Sequence, residues 1–193
     1  MIQTLKRILR TGILTETPQP TAPAESSAAQ AQEKILKIMG RALCIRQVDA
    51  GSCNGCELEI QALNNAYYNS EGAGIKFVAS PRHADMLLVT GPVTVNMEEA
   101  LKRTLEAVPH PRLVVAVGDC GACGGAFGKN YASRGAVADV IPVDGAVQGC
   151  PPSPQAILDA IRSVVSSAAT ERSSRKEGDA LPASSCDSVQ TRG

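Results

Sequence analysis

Aromatic residues are scarce in this sequence. Tryptophan is absent, and the 193 residues include only three Tyr and two Phe. Proteins that bind single-stranded nucleic acid stack bases on aromatic side chains, and their binding surfaces carry an excess of positive charge. Here 19 Lys and Arg side chains are balanced by 19 Asp and Glu. We therefore expect no nucleic-acid partner.

Long hydrophobic runs are also absent. None approaches the roughly 20 apolar residues that a membrane-spanning helix needs. The sequence has no unbroken apolar segment followed by a small-residue cleavage site, which is the pattern of a secretory signal. The chain is therefore expected to stay in the cytoplasm, either soluble or peripheral to a membrane.

Composition divides the chain into four regions. Residues 1–14 alternate apolar and basic positions at helical spacing, which predicts a basic amphipathic arm. Residues 15–32 are rich in Pro, Ala, Ser and Thr and predict a linker, because they lack the large apolar side chains whose burial would offset the conformational entropy lost on ordering. One domain is expected over residues 33–168, beginning with a helical stretch at 33–41, and residues 169–193 predict a disordered tail.

Charge is distributed unevenly between these regions. Residues 1–41 carry six basic and three acidic side chains, a net charge of +3, whereas residues 42–168 carry nine and twelve, a net charge of −3. A basic arm on an acidic domain suits an anionic membrane surface or an acidic partner.

Strand-like and helix-like patterns alternate within the domain. Strands are predicted at residues 43–48, 75–78, 86–90 and 113–117, and the last two are apolar enough to be buried on both faces. Helices are predicted at residues 56–68 and 98–108, and a closing helix begins with Ser153 as N-cap and Pro154 in the first turn. This order predicts an open α/β sheet of parallel strands, in which ligands bind beyond the carboxyl ends of the strands.

Cysteines are the chemically distinctive residues. There are seven, an odd number, in a chain larger than most disulfide scaffolds, so metal or redox chemistry is expected instead. Cys53 and Cys56, in GSCNGCE, follow the first strand. Cys120, in VGDCGACGG, follows the 113–117 strand, and Cys150, in QGCPPSP, precedes the closing helix. Three loops are thus predicted to bring four thiols to one edge of the sheet.

Four thiolates bind either a tetrahedral zinc ion or an iron–sulfur cluster. Structural zinc commonly uses two CxxC pairs, whereas here one close pair is joined by single cysteines 64 and 94 residues after Cys56. Gly and Pro beside the cysteines let the backbone approach a bulky group. These features favour [4Fe–4S], and a zinc-stabilised binding module without a redox role is the alternative. The glycines at 118–128 lack the GK[ST] of a phosphate loop.

Four segments carry a resemblance to a known family. GSCNGCELEI, SPRHADMLLVTGPVT, VGDCGACGGAF and IPVDGAVQGCPPSPQAIL resemble the small subunit of group 4, membrane-bound, energy-converting [NiFe] hydrogenases of the formate hydrogenlyase type. The same family includes the cluster-bearing 20 kDa (B-type) subunit of complex I. The resemblance covers residues 43–161. Complex I relatives have adjacent cysteines in the first motif, whereas this chain has Cys-x-x-Cys, which favours the hydrogenase branch.

The resemblance implies a flavodoxin-like α/β subunit without flavin, with helices on both faces of the sheet. It would bind one [4Fe–4S] cluster through Cys53, Cys56, Cys120 and Cys150, at the carboxyl ends of the strands. Its role would be to relay electrons between ferredoxin-like iron–sulfur subunits and the Ni–Fe site of a large subunit, in a complex with integral membrane subunits. The resemblance places it peripherally on the cytoplasmic face of the inner membrane, as an oxidoreductase subunit that is not catalytic alone.

Further residues of the motifs are candidates for weaker roles. Cys123 stands where many relatives have a small polar residue, so it is either a rival ligand or a buried thiol. Arg82 and His83 occupy a loop that approaches the cluster in complex I relatives, where a cation raises the reduction potential. Glu57 and Glu59 suit the N-terminus of the first helix. Glu59 also matches a carboxylate of the family, which implies a role in proton transfer or at the subunit interface.

Two alternatives remain within the family. One is a complex I-type subunit whose cluster reduces quinone, and the other is a hydrogenase-related complex without nickel.

Overall fold

The computed structural model of the protein describes residues 40–174, together with Lys6 and Glu33, and for residues 169–174 it describes the backbone alone. The predicted arm and linker lie outside the described residues, as do most of the stretch at 33–41 and the tail beyond residue 174, which contains the seventh cysteine, Cys186.

Five parallel strands form one sheet. They are β1 (Leu43–Asp49), β2 (Ile75–Phe77), β3 (Met86–Thr90), β4 (Leu113–Val117) and β5 (Gly145–Val147), in the spatial order β2-β1-β3-β4-β5. The α-helices are α1 (Gly55–Ala62), α2 (Val95–Ala107), α3 (Gly118–Cys123) and α4 (Pro154–Ser174), and single 3₁₀ turns span Pro81–His83 and Val137–Asp139. The predicted open, parallel α/β sheet is confirmed.

The sheet is covered on both faces. All five residues of β3 and of β4 are buried, as expected for strands between two helical layers. Along β3, Met86 and Leu88 belong to the apolar cluster that includes residues of α1 and α4, whereas Leu87 and Val89 belong to the cluster that includes residues of α2. This alternation follows from the two-residue period of a strand.

Two helices differ from their predicted bounds. α1 ends at Ala62, six residues before the predicted end, because the Asn65 side-chain oxygen accepts the backbone N–H groups of Tyr67 and Tyr68 and forms a turn. α2 begins at Val95, three residues early. The closing helix begins as predicted, with Pro154 in first position and the Ser153 hydroxyl 3.3 Å from the N–H of Ala156.

Aspartates join neighbouring strands at the amino edge of the sheet. The Cys44 N–H donates to Asp85 Oδ2 at 3.0 Å, and the Asp85 N–H donates back to the Cys44 carbonyl at 2.7 Å. The Val114 N–H donates to Asp144 Oδ2 at 2.7 Å, and the Asp144 N–H returns to the Val114 carbonyl at 2.8 Å. Each reciprocal pair satisfies backbone groups at the end of a strand.

Within residues 40–174, no helix has both the length and the apolar character needed to cross a membrane.

Candidate metal centre

Four cysteines lie beyond the carboxyl ends of three strands. Cys53 is in the loop after β1 and Cys56 is the second residue of α1. Cys120 is in α3, which follows β4 directly, and Cys150 comes three residues after β5. Since parallel strands all point the same way, these residues are brought to one edge of the sheet, as predicted from the sequence.

The loop after β1 is built by short-range hydrogen bonds. Asp49 Oδ1 accepts the N–H groups of Gly51 and Ser52, both at 2.8 Å, and the Ser52 hydroxyl accepts the N–H of Asn54 at 3.1 Å. Asn54 has a left-handed backbone with φ of 73° and immediately precedes α1. This turn places Cys53 outside the helix.

Glycines let the cysteine loops approach one another closely. Gly118 has φ of +85°, and a Cβ at this position would lie 2.5 Å from Sγ of Cys56. A Cβ at Gly125 would lie 2.8 Å from Sγ of Cys120, and one at Gly55 would lie 3.6 Å from Sγ of Cys53. The first two positions leave no room for a larger residue beside the thiol.

The four thiols also influence one another electrostatically. Burial, together with the charges of Glu57 and of the other three cysteines, raises the pKa of Cys56 to about 11. Burial likewise raises the pKa of Cys120, with added contributions from Cys150 and Cys53. Both effects disfavour the thiolate, so binding of a cationic group at these positions would release protons.

The candidate centre is open on one side. Cys53 and Cys150 are exposed, whereas Cys56 and Cys120 are half-buried. Among the described residues, no group of three or more His, Cys, Asp or Glu side chains is arranged to hold a metal ion. The donor set still fits an iron–sulfur cluster chemically, because four cysteines from three loops lie at one edge of the sheet and the glycines keep Cβ atoms away from two of the sulfurs.

The thiols of Cys123 and Cys44 each lie near a backbone carbonyl of the same chain. The Cys123 thiol lies 3.3 Å from the carbonyl of Asp119, one turn earlier in α3, and is half-buried. Cys44 lies in β1, with its Sγ 3.9 Å from the carbonyl of Ala42.

Arg82 and His83 occupy a different place from the thiols. Both lie in the 3₁₀ turn at Pro81–His83, in the crossover that leads into β3, and His83 is exposed. Glu59 is half-buried in α1, three residues after Cys56. Its predicted role and those of Arg82 and His83 stay predictions.

Glu57 is not the simple capping residue that its position predicts. The N-terminus of α1 has no side-chain cap hydrogen bond, and Glu57 is 5% exposed with no hydrogen-bond partner at either carboxylate oxygen. A charged residue near a helix start predicts an exposed side chain, and no sequence signal marks this burial.

Proteins with related sequences include hydrogenase, formate hydrogenlyase and NADH-quinone oxidoreductase subunits. A probable membrane-bound hydrogenase subunit of Pyrococcus furiosus is 44% identical over 128 residues, which is 66% of this chain and 77% of the relative. Formate hydrogenlyase subunit 7 of Escherichia coli is 41% identical over 73% of this chain and 55% of that protein. A B-type NADH-quinone oxidoreductase subunit of Herpetosiphon aurantiacus is 41% identical over 55% of this chain and 59% of that relative.

A solved structure shares the fold. A chain of the membrane-bound sulfane sulfur reductase, an archaeal respiratory membrane complex, superposes with a TM-score of 0.56 at 32% identity, covering 68% of this chain and 70% of that chain.

The fold and these relatives define an oxidoreductase subunit of the hydrogenase and complex I type. The profile of one family, the NADH ubiquinone oxidoreductase 20 Kd subunit, matches residues 53–164. The chain belongs to this family.

Proposed function

We propose that this chain holds one [4Fe–4S] cluster on Cys53, Cys56, Cys120 and Cys150 and serves as the electron-relay subunit of a membrane-associated hydrogenase. When bound, the cluster supplies one-electron redox chemistry. The observation that carries the proposal is the placement of four cysteines, from three loops, at one edge of the sheet, with glycines packed against two of their sulfurs. The chain's own part is to hold these thiols at the open edge of the sheet.

The exposure of the thiols supports a role between partners. Cys53 and Cys150 are exposed. Exposed thiol ligands suit an electron relay, because the bound group can then pass electrons to a subunit that covers this edge. We assign this edge to the contact with a large subunit that carries a Ni–Fe site, and ferredoxin-like subunits complete the path.

Two features favour the hydrogenase branch over quinone reduction. The first motif reads Cys-x-x-Cys, and the hydrogenase relatives align over 128 and 141 residues, against 107 for the quinone oxidoreductase relative. The similarity to a sulfane sulfur reductase chain supports the alternative of a related complex without nickel.

The chain is further proposed to sit peripherally at the cytoplasmic face of the membrane, held by integral membrane subunits. The net charge of +3 in residues 1–41 supports attraction to an anionic lipid surface. Arg82, His83 and Glu59 are proposed to tune the potential or to exchange protons near the cluster.

The branch is tested by anaerobic purification of the native complex through a tag on this chain, followed by metal analysis and activity assays. Nickel together with H₂ evolution from a reduced donor supports the hydrogenase. Iron without nickel, together with quinone or sulfane sulfur reduction, assigns the chain to one of the two alternatives. Zinc without iron contradicts the redox function.

A further inference from the structure

Asp119 and Gly149 are joined by two hydrogen bonds that run in opposite directions. The Gly149 N–H donates to Asp119 Oδ1 at 2.7 Å, and the Asp119 N–H donates to the Gly149 carbonyl at 3.0 Å. Each residue immediately precedes one of the two single cysteines, Cys120 or Cys150. The pair therefore fixes the backbones that carry these cysteines relative to each other.

The backbone around this pair has little freedom to adjust. Gly149 has φ of +134°, and a Cβ there would lie 2.7 Å from the Cα of Pro152. Gly118 lies in the same tightly packed region. A Cβ at this position would lie 3.4 Å from the Gly149 carbonyl oxygen, in addition to its close approach to the Cys56 sulfur. Three cysteine loops thus meet at Asp119 and Gly149.

The same reciprocal arrangement occurs twice at the opposite edge of the sheet. There Asp85 pairs with Cys44 and also binds Arg41, and Asp144 pairs with Val114, so that each pair joins two neighbouring strands. Both the Asp144 pair and the Asp119 pair connect the part of the chain around β4 to the part around β5. The Asp144 pair does so at the amino ends of these strands, and the Asp119 pair does so beyond their carboxyl ends. Substitution of Asp144 therefore shows how much the loss of one such pair changes the stability of the sheet, at a position away from the cysteines.

We propose that Asp119 is a positioning residue, which holds Cys120 and Cys150 in place for the cluster through its hydrogen bond to Gly149. This inference rests on the proposed [4Fe–4S] function. Hydrogen bonds that orient ligands typically change metal affinity by roughly 10–100-fold when they are removed. The Asp119 carboxylate also adds negative charge beside Cys120, which favours the oxidised, less negative state of a bound cluster.

The test uses the tagged complex with Asp119→Ala, Asp119→Asn and Asp144→Ala. Iron loss to a chelator and the midpoint potential of the [4Fe–4S] EPR signal are measured for each. We expect Asp119→Ala to lose iron roughly 10-fold faster than wild type. Asp119→Asn keeps an oxygen acceptor for the Gly149 N–H, so it retains iron at nearly the wild-type rate. Both substitutions raise the midpoint potential because both remove the charge, whereas Asp144→Ala changes neither iron loss nor potential.

Three results overturn the inference while leaving the proposed function intact. The first is that Asp119→Ala loses iron at the wild-type rate, and the second is that Asp119→Ala and Asp144→Ala lose iron at the same rate. The third is that Asp119→Asn loses iron as fast as Asp119→Ala. A wild-type complex without any [4Fe–4S] signal overturns the proposed function itself, and the role of Asp119 with it.

Discussion

Gly118 lies against the thiol of Cys56, so that a Cβ at position 118 would come within 2.5 Å of the Cys56 sulfur. These two residues belong to different segments, one after β1 and one after β4. Cys56 can occupy its position only because residue 118 has no side chain. A substitution at Gly118 therefore tests the cysteine arrangement without changing any thiol.

We expect Gly118→Ala to lose most of its iron. Alanine at φ of +85° costs about 1–2 kcal/mol, and its Cβ displaces the Cys56 sulfur. Gly128→Ala is the matched control, since Gly128 also has positive φ, +55°, but has nothing within 4 Å of a Cβ. Iron per chain and thermal stability are measured for both. Equal iron in the two variants would show that the contact with Cys56 is unimportant.

Cys123→Ser is predicted to keep wild-type iron content. The Cys123 thiol already has the Asp119 carbonyl as a partner at 3.3 Å, and a serine hydroxyl can donate to the same oxygen. Cys120→Ser, on the same short helix, is predicted to lose iron. Loss of iron in Cys123→Ser would identify Cys123 as a ligand instead.

The resemblance to complex I relatives, in which this loop approaches the cluster, predicts that Arg82→Gln lowers the midpoint potential, because a cation close to a cluster stabilises its reduced, more negative state. Arg103→Gln removes an exposed cation of α2, whose Nε lies 2.8 Å from Glu99, and serves as control. Redox titration of the two variants by EPR checks the difference. Identical potentials would leave Arg82 as a solvated residue of the crossover.

Glu98 is expected to make the free energy of unfolding depend on pH in the acid range. Hydrogen bonds from Lys102, at 2.7 Å, and Arg134, at 2.6 Å, lower its pKa from the ordinary value of 4.5. A carboxylate with a lowered pKa contributes stability above pH 4.5, and that contribution is lost as the pH falls through the lowered value.

Glu98→Gln is therefore predicted to lower Tm at pH 7, by at most about 4 °C because surface ion pairs contribute little. The difference from wild type should shrink below pH 4.5. Glu99→Gln, which loses only the exposed pair with Arg103, is the control. A Tm difference that stays constant as the pH is lowered from neutral into the acid range would show that the charge of Glu98 is not responsible.

Much of the site-bearing framework could be predicted from the sequence because its signals are local. The apolar residues of β3 and β4 gave their bounds directly, and the order of strands and helices placed the cysteine loops at one edge. β5 has only three residues, Gly145–Val147, and so carries no recognisable apolar run.

The interactions that join the loops could not be predicted. The bond between Asp119 and Gly149 links residues 30 positions apart, and an aspartate before a cysteine does not reveal its partner. The burial of Glu57 likewise depends on packing that no periodic pattern records. Sequence patterns thus located the thiols, whereas tertiary contacts determine how they are held.

The most direct test of the account is EPR spectroscopy and metal analysis of the reduced, anaerobically purified complex, with wild type and Cys120→Ala compared. We expect about four iron atoms on this chain and a [4Fe–4S] signal that disappears in Cys120→Ala. A chain that contains zinc, lacks iron and shows no reducible absorbance would contradict it.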